Sequence, residues 1–156
     1  MEEKKSLFRK DAVFFLDQEK QYEGEDILHF IGKRMAEKGY AKESFEQALI
    51  EREKKFPTGL QTAPYPIAIP HADMGHANVS CIGVVRLRGS ACFSDMVEPD
   101  KKVHAKYIFC IVLSKKEQQT DILQEVMQIA ADEELMEKME QAGTEEELYD
   151  MLSKRG

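Results

Sequence analysis

The chain has 156 residues, 42% of them hydrophobic, which suffices for one domain with a single substantial core and is too short for two ordinary ones. Its formal net charge of −7, from 29 acidic against 22 basic residues, argues against a nucleic-acid surface, which needs clustered Lys and Arg, and leaves room for a basic protein partner. Cys81, Cys92 and Cys110 lie in or near apolar runs without CxxC spacing, which argues against a disulfide scaffold or a zinc site and for reduced thiols in the cytosol.

The opening stretch, MEEKKSLFRKDAVFFLD, is charged on both sides of a very short apolar run. It lacks the apolar segment of a signal peptide, and nothing in the chain approaches the roughly 18 apolar residues of a membrane span. We therefore expect a soluble, cytoplasmic protein. Residues 12–16, AVFFL, read as a short strand between Asp11 and Asp17.

From Glu25 to Lys38, Ile27, Leu28, Ile31 and Met35 follow helical spacing, and Gly39 stands where a glycine would close the helix. A second helix runs from about Glu43 to Phe56, with Phe45, Ala48 and Leu49 on its apolar stripe and a capping box offered by Ser44 and Gln47. Pro57 and Gly59 end it. Arg52 falls at i+7 from Phe45 and i+3 from Leu49, so a guanidinium continues the inward stripe where another aliphatic residue belongs. An arginine snorkelling from the stripe's edge is the alternative reading.

Three β-rich stretches follow: 65–69 (YPIAI), 79–87 (VSCIGVVRL) and 105–113 (AKYIFCIVL). The last is almost wholly apolar, as a strand covered on both faces should be. Ser114 and Glu117 offer a capping box for a helix carrying Ile122, Leu123, Val126, Ile129 and Ala130 at a 3.6-residue period. Two shorter helices complete the chain, the last capped by Thr144 and Glu147. Helices before and after a block of strands give an α/β layered sandwich with a mixed β-sheet.

The chemistry centres on His71. Pro70 keeps Ile69 extended and removes an amide donor from the strand end, which places His71 at a rigid strand terminus where a loop begins. Such an imidazole suits a nucleophile or a general base, and it could equally top a strand and donate to a carbonyl. His76 follows five residues on, but the spacing spans a loop and no third ligand stands at a recognisable distance, so the case for a metal is weak. There is no G-x-S-x-G elbow, Walker A loop or dinucleotide G-x-G-x-x-G, and no cofactor is expected; any phosphate chemistry must use a side chain.

The stretch FPTGLQTAPYPIAIPHADMGH, residues 56–76, resembles the active-site segment of the phosphotransferase-system enzyme IIA domains of the fructose/mannitol superfamily, or type 2. In that family a P-T-G-like turn leads into an I-A-[IV]-P-H strand whose histidine takes a phosphoryl group from the phosphocarrier HPr. By element order the likeness covers roughly residues 8–153 and implies one such domain over residues 1–156.

The resemblance implies that His71 is the phosphoryl acceptor and that Arg52, in EREKKFPTG, lies beside it, where a guanidinium can pair with phosphate oxygens in a fork. Mannitol and fructose members carry a second active-site histidine near the start of the helix after the long apolar strand. Gln119 aligns there, a departure that resembles galactitol-type proteins, which also share the P-H-x4-H arrangement of His71 and His76. An amide there could orient a phosphoryl group without titrating, or be an ordinary helix residue. His76 is a phosphate neighbour or a loop residue, and His29 and His104 match nothing. The function implied is a phosphoryl carrier between HPr and an enzyme IIB, with the sugar or polyol handled by a membrane IIC component. The alternatives are a regulatory, nitrogen-type or regulator-linked IIA protein and an α/β binding domain that is never phosphorylated.

Overall fold

The computed structural model describes residues 7–154; the charged MEEKKS start on which the reading of the N-terminus partly rests lies outside the described residues. The described chain runs β1 (Phe8–Leu16), β2 (Gln21–Glu23), α1 (Gly24–Glu37), α2 (Phe45–Lys55), β3 (Gly59–Leu60), β4 (Ile67–Ala68), β5 (Cys81–Ser94), β6 (Lys102–Val112), α3 (Gln119–Ala131), α4 (Glu133–Gln141) and α5 (Glu145–Ser153). The strands form a mixed sheet in the order β1-β5-β6-β4-β3, with β2 also paired to β5. β5 and β6 are antiparallel, β1 and β2 run parallel to β5, and β4 runs parallel to β6.

Each face of the sheet carries its own layer of helices. On one face Tyr107, Phe109 and Ile111 of β6 pack with Ile122, Val126 and Met136 of α3 and α4. On the other, Ile108, Cys110 and Val112 pack with Ile31, Phe45 and Leu49 of α1 and α2. This alternation explains why residues 107–112 read as an unbroken apolar run: every side chain finds a helix. The expected layered α/β sandwich with a mixed sheet is the architecture observed.

Several boundaries differ from the sequence reading. The strand expected over 65–69 shrinks to Ile67–Ala68, because prolines at 66 and 70 cannot donate to a ladder. Pairing resumes only as a single bridge between His71 and Ile111. The strands expected at 79–87 and 105–113 extend into one long hairpin, β5 to Ser94 and β6 from Lys102. Asp95 closes its turn by accepting from the amides of Val97 and Glu98 at 2.8 and 2.9 Å. The two short strands β2 and β3 are too brief to show a period.

Caps divide in the same way. Gly39, at φ 80°, ends α1, its amide bonding to the Ala36 carbonyl while Tyr40 reaches Met35. Thr144 caps α5 by accepting from the Glu147 amide at 3.1 Å. The other two expected boxes do not form. Ser44 flanks α2 without bonding to its amides, and its hydroxyl stands 2.8 Å from His76 Nδ1. Ser114 is occupied by Ser80, which also donates to Gln118 Oε1 at 2.5 Å, and the chain enters α3 through a 3₁₀ turn at Lys116–Gln118. In both cases a tertiary partner holds the hydroxyl that a local cap would use.

Among the described residues the three cysteines are free, and burial pushes the Cys81 thiol up to about 12, as expected of an inert thiol in a core. No helix of these residues is long and apolar enough to cross a membrane.

Candidate active site

The segment Ile69-Pro70-His71 is anchored atom by atom at the sheet's end. The Ile69 amide donates to the Thr58 carbonyl at 3.2 Å, and the Pro70 carbonyl accepts from the Ile111 amide at 2.9 Å. His71 then turns back on its own strand, with Nδ1 3.0 Å from the Ile69 carbonyl oxygen. A carbonyl can only accept, so Nδ1 carries the proton and Nε2 keeps its lone pair. His71 is half-buried, and burial is the main cause that holds its pKa below the usual 6.5. The bond to Ile69 raises it, the Arg52 charge lowers it and the Asp73 charge raises it, none of them enough to reverse the direction.

A depressed folded-state pKa means that the neutral imidazole, and the stability linked to it, is fully present above 6.5 and lost only as pH falls through the lowered value. We expect an NMR titration of the His71 ring in the unphosphorylated chain to show its midpoint below 6.5. A midpoint at or above that value would contradict the burial seen here.

Arg52 continues the stripe begun by Phe45 and Leu49, which are 1% and 0% exposed, but its own side chain reaches the rim and is 27% exposed. There Nη1 donates to Asp73 Oδ1 at 2.9 Å, and the guanidinium lies 4.4 Å from the centre of the Phe56 ring. Nε is buried and has no hydrogen-bond partner among the described residues. One guanidinium thus stacks on an aromatic face, pairs with a carboxylate that is itself 74% exposed, and holds a further donor in reserve.

Between α2 and the loop after His71 lies a cleft of about 400 Å³, lined by Gln47, Arg52, Lys55, Phe56, Asp73 and His76 among others. His76 is held at its edge by Ser44 and by the Lys42 amide, which donates to its carbonyl at 2.9 Å; Gly75, at φ 102°, supplies the turn that brings it there. His76 therefore shares the cleft with Arg52. Gln119, half-buried as the first residue of α3, has no hydrogen bond to His71, Arg52 or His76 among the described residues, while its neighbour Gln118 is tied to Ser80. His29 and His104 lie elsewhere, on Glu46 and Gln21 respectively.

Two residues of this region escaped the sequence reading. Asp73, the partner of Arg52, is one acidic residue in a loop and carries no pattern. Glu53 accepts from the Thr58 amide at 2.8 Å and from its hydroxyl at 2.7 Å, which clips the P-T-G turn to the end of α2. Its signal was the five-residue spacing to Thr58 across Pro57.

Fold and site together define a mixed-sheet α/β protein that presents an anchored imidazole at the end of a short parallel strand, with the Arg52 charge felt at the ring. Residues 6–155 match the model of the family described as "Phosphoenolpyruvate-dependent sugar phosphotransferase system, EIIA 2", and the chain belongs to that family. It is 30% identical over 118 residues to the galactitol-specific EIIA component of Escherichia coli K12, covering 76% of this chain and 74% of that protein. Two solved structures share the fold: mannitol IIA of Escherichia coli, at TM-score 0.72 and 18% identity over 92% of this chain and 96% of that one, and the nitrogen regulatory protein IIA-Ntr of Neisseria meningitidis, at 0.67 and 19% over 94% and 96%. A third, the complex of Escherichia coli IIA mannitol with phosphorylated IIB mannitol, matches at TM-score 0.73 and 19% identity over 94% of this chain and 96% of that one.

Proposed function

We propose that this chain is a phosphoryl carrier that takes the group onto Nε2 of His71 from phospho-HPr and hands it to an enzyme IIB in the cytoplasm, for uptake of a galactitol-like polyol through a membrane IIC component. The observation that carries the reading is the His71 Nδ1 bond to the Ile69 carbonyl, which leaves Nε2 as the nucleophile at the end of an anchored strand. In the first transfer the Nε2 lone pair attacks phosphorus, the donor's N–P bond breaks, and the donor nitrogen keeps that electron pair. In the second, a thiolate of IIB forms the S–P bond and the electrons of the Nε2–P bond return to His71. The loose transition state of phosphoryl transfer asks little covalent help of the protein, so positioning and electrostatics do the rest.

Arg52 would stabilise charge on the equatorial oxygens: its charge is felt at the ring, and its Nε has no hydrogen-bond partner among the described residues. His76 faces the cleft that Arg52 lines, which supports its reading as a phosphate neighbour. Gln119 keeps the amide that the resemblance assigns to orientation, at the start of the helix that follows β6. The identity to a galactitol component supports a transport role over a regulatory one, because the likeness to the nitrogen regulatory protein is one of fold. The Escherichia coli mannitol protein assembles with a phosphorylated IIB, which supports the same kind of acceptor here.

Incubated with phosphoenolpyruvate, enzyme I and HPr, the chain should gain one phosphoryl group, labile in acid and stable in base as a phosphoramidate is. Mass spectrometry before and after acid treatment reads this. No gain, or an acid-stable modification, would set the proposal aside.

A further inference from the structure

Thr58 is the centre of a run of hydrogen bonds that passes through its backbone amide and carbonyl and ends on His71. Thr58 is 2% exposed, a polar residue among apolar neighbours, so its amide and hydroxyl must both be satisfied within the protein. Glu53 does this alone, Oε2 accepting from the amide and Oε1 from the hydroxyl. Beyond Thr58 its carbonyl accepts from the Ile69 amide, and the Ile69 carbonyl accepts from His71 Nδ1. Three residues thus connect the end of α2 to the imidazole, each through a bond with a defined direction.

We propose that Glu53 is a positioning residue for the phosphoryl acceptor: acting through Thr58 and Ile69, it holds the His71 ring in the Nδ1–H tautomer with Nε2 free. The proposal rests on the reading of His71 as acceptor for its consequence in transfer, but not for the tautomer. Helix α2 ends by presenting Arg52 to the cleft and Glu53 to the P-T-G turn, so one helical turn fixes both the ring and the cation beside it. Outer partners of this kind set which ring nitrogen is protonated and how the ring stands.

Burial supports the assignment, since it pushes the Glu53 carboxyl up to about 7 against the lowering influence of both Thr58 bonds and of Arg52. The other charged or titratable groups around it are Glu25 of α1, Lys54 beside it, Cys92 of β5 and Cys110 of β6. A carboxyl whose charged form burial disfavours can be replaced by its amide with little change of shape. The Gln oxygen can accept from the Thr58 amide while its NH2 donates to Thr58 Oγ1.

The test uses the full, 15N-labelled, unphosphorylated chain, with the ring nitrogen shifts of His71 as the readout. Wild type should show a protonated Nδ1 and an unprotonated Nε2. In Glu53→Ala the Nε2–H tautomer should become populated, and phosphorylation by phospho-HPr should slow roughly tenfold to a hundredfold, the range seen when an outer positioning partner is lost. Glu53→Gln should restore both the shifts and the rate to within a few-fold of wild type. Thr58→Val, which deletes only the hydroxyl arm, should give an intermediate tautomer ratio, and it decides the matter alone if Glu53→Ala does not fold. Wild-type ring shifts in Thr58→Val and in any folded Glu53→Ala would overturn the proposal, as would a glutamine variant no better than alanine. If His71 is not the acceptor, no phosphoryl group appears on its ring in wild type, while the tautomer arm still judges Glu53.

Discussion

Replacing His71 by alanine should abolish phosphorylation of this chain by phospho-HPr while leaving it folded. The loss is complete because no second imidazole takes the position: His76 is held by Ser44 at the edge of the cleft, and His29 and His104 are bonded to Glu46 and Gln21 on other elements. The fold should survive because the half-buried ring contributes one hydrogen bond, to the Ile69 carbonyl, worth about 1 kcal/mol net. The backbone bridge to Ile111 and the Pro70 carbonyl bond do not involve the side chain. Labelling with radioactive phosphoenolpyruvate, alongside a thermal melt, measures both halves. Undiminished labelling in a folded variant would remove His71 from the mechanism.

Arg52→Lys should transfer roughly tenfold more slowly or worse, with little change in stability. A lysine's compact ammonium cannot present the planar, parallel pair of N–H groups that a guanidinium offers to phosphate oxygens, nor lie flat on Phe56. Losing a charged hydrogen bond at the transition state costs about 1 to 3 kcal/mol, which converts to that factor in rate. Stability should hold because the partner carboxylate is mostly exposed, and exposed ion pairs contribute little. Rapid-quench measurement of phosphorylation compares the two proteins. Equal rates would return Arg52 to the role of a rim residue that covers Phe56.

What could be read from the sequence was what repeats locally. The period of Ile27, Leu28, Ile31 and Met35 marked α1, and the two-sided apolar run at 107–112 marked a central strand, because burial imposes those patterns residue by residue. Pro70 before His71 marked a rigid strand end, which proved to be a bridge to Ile111. The breaks in legibility occur where a partner distant in sequence takes over a group. Ser44 reads as a cap until His76, 32 residues away, claims its hydroxyl, and Ser114 does likewise until Ser80 does.

Arg52 shows the limit from the other side. Its place on the apolar stripe was visible in the spacing to Phe45 and Leu49, and Phe56 stands one turn on at i+4, but Asp73, the carboxylate the guanidinium pairs with, becomes its neighbour only when the loop after His71 folds back on α2. Glu53 was hidden for a simpler reason: a glutamate next to a lysine near the end of a helix normally faces water, and only the buried turn at Thr58 draws it inward.

The most direct test of the account is to find the atom that carries the phosphorus. With the 15N-labelled chain phosphorylated through HPr, nitrogen–phosphorus coupling in the His71 ring should appear at Nε2, with Nδ1 still protonated and bonded to the Ile69 carbonyl. Coupling at Nδ1, or a phosphoryl group on any residue other than His71, would contradict it.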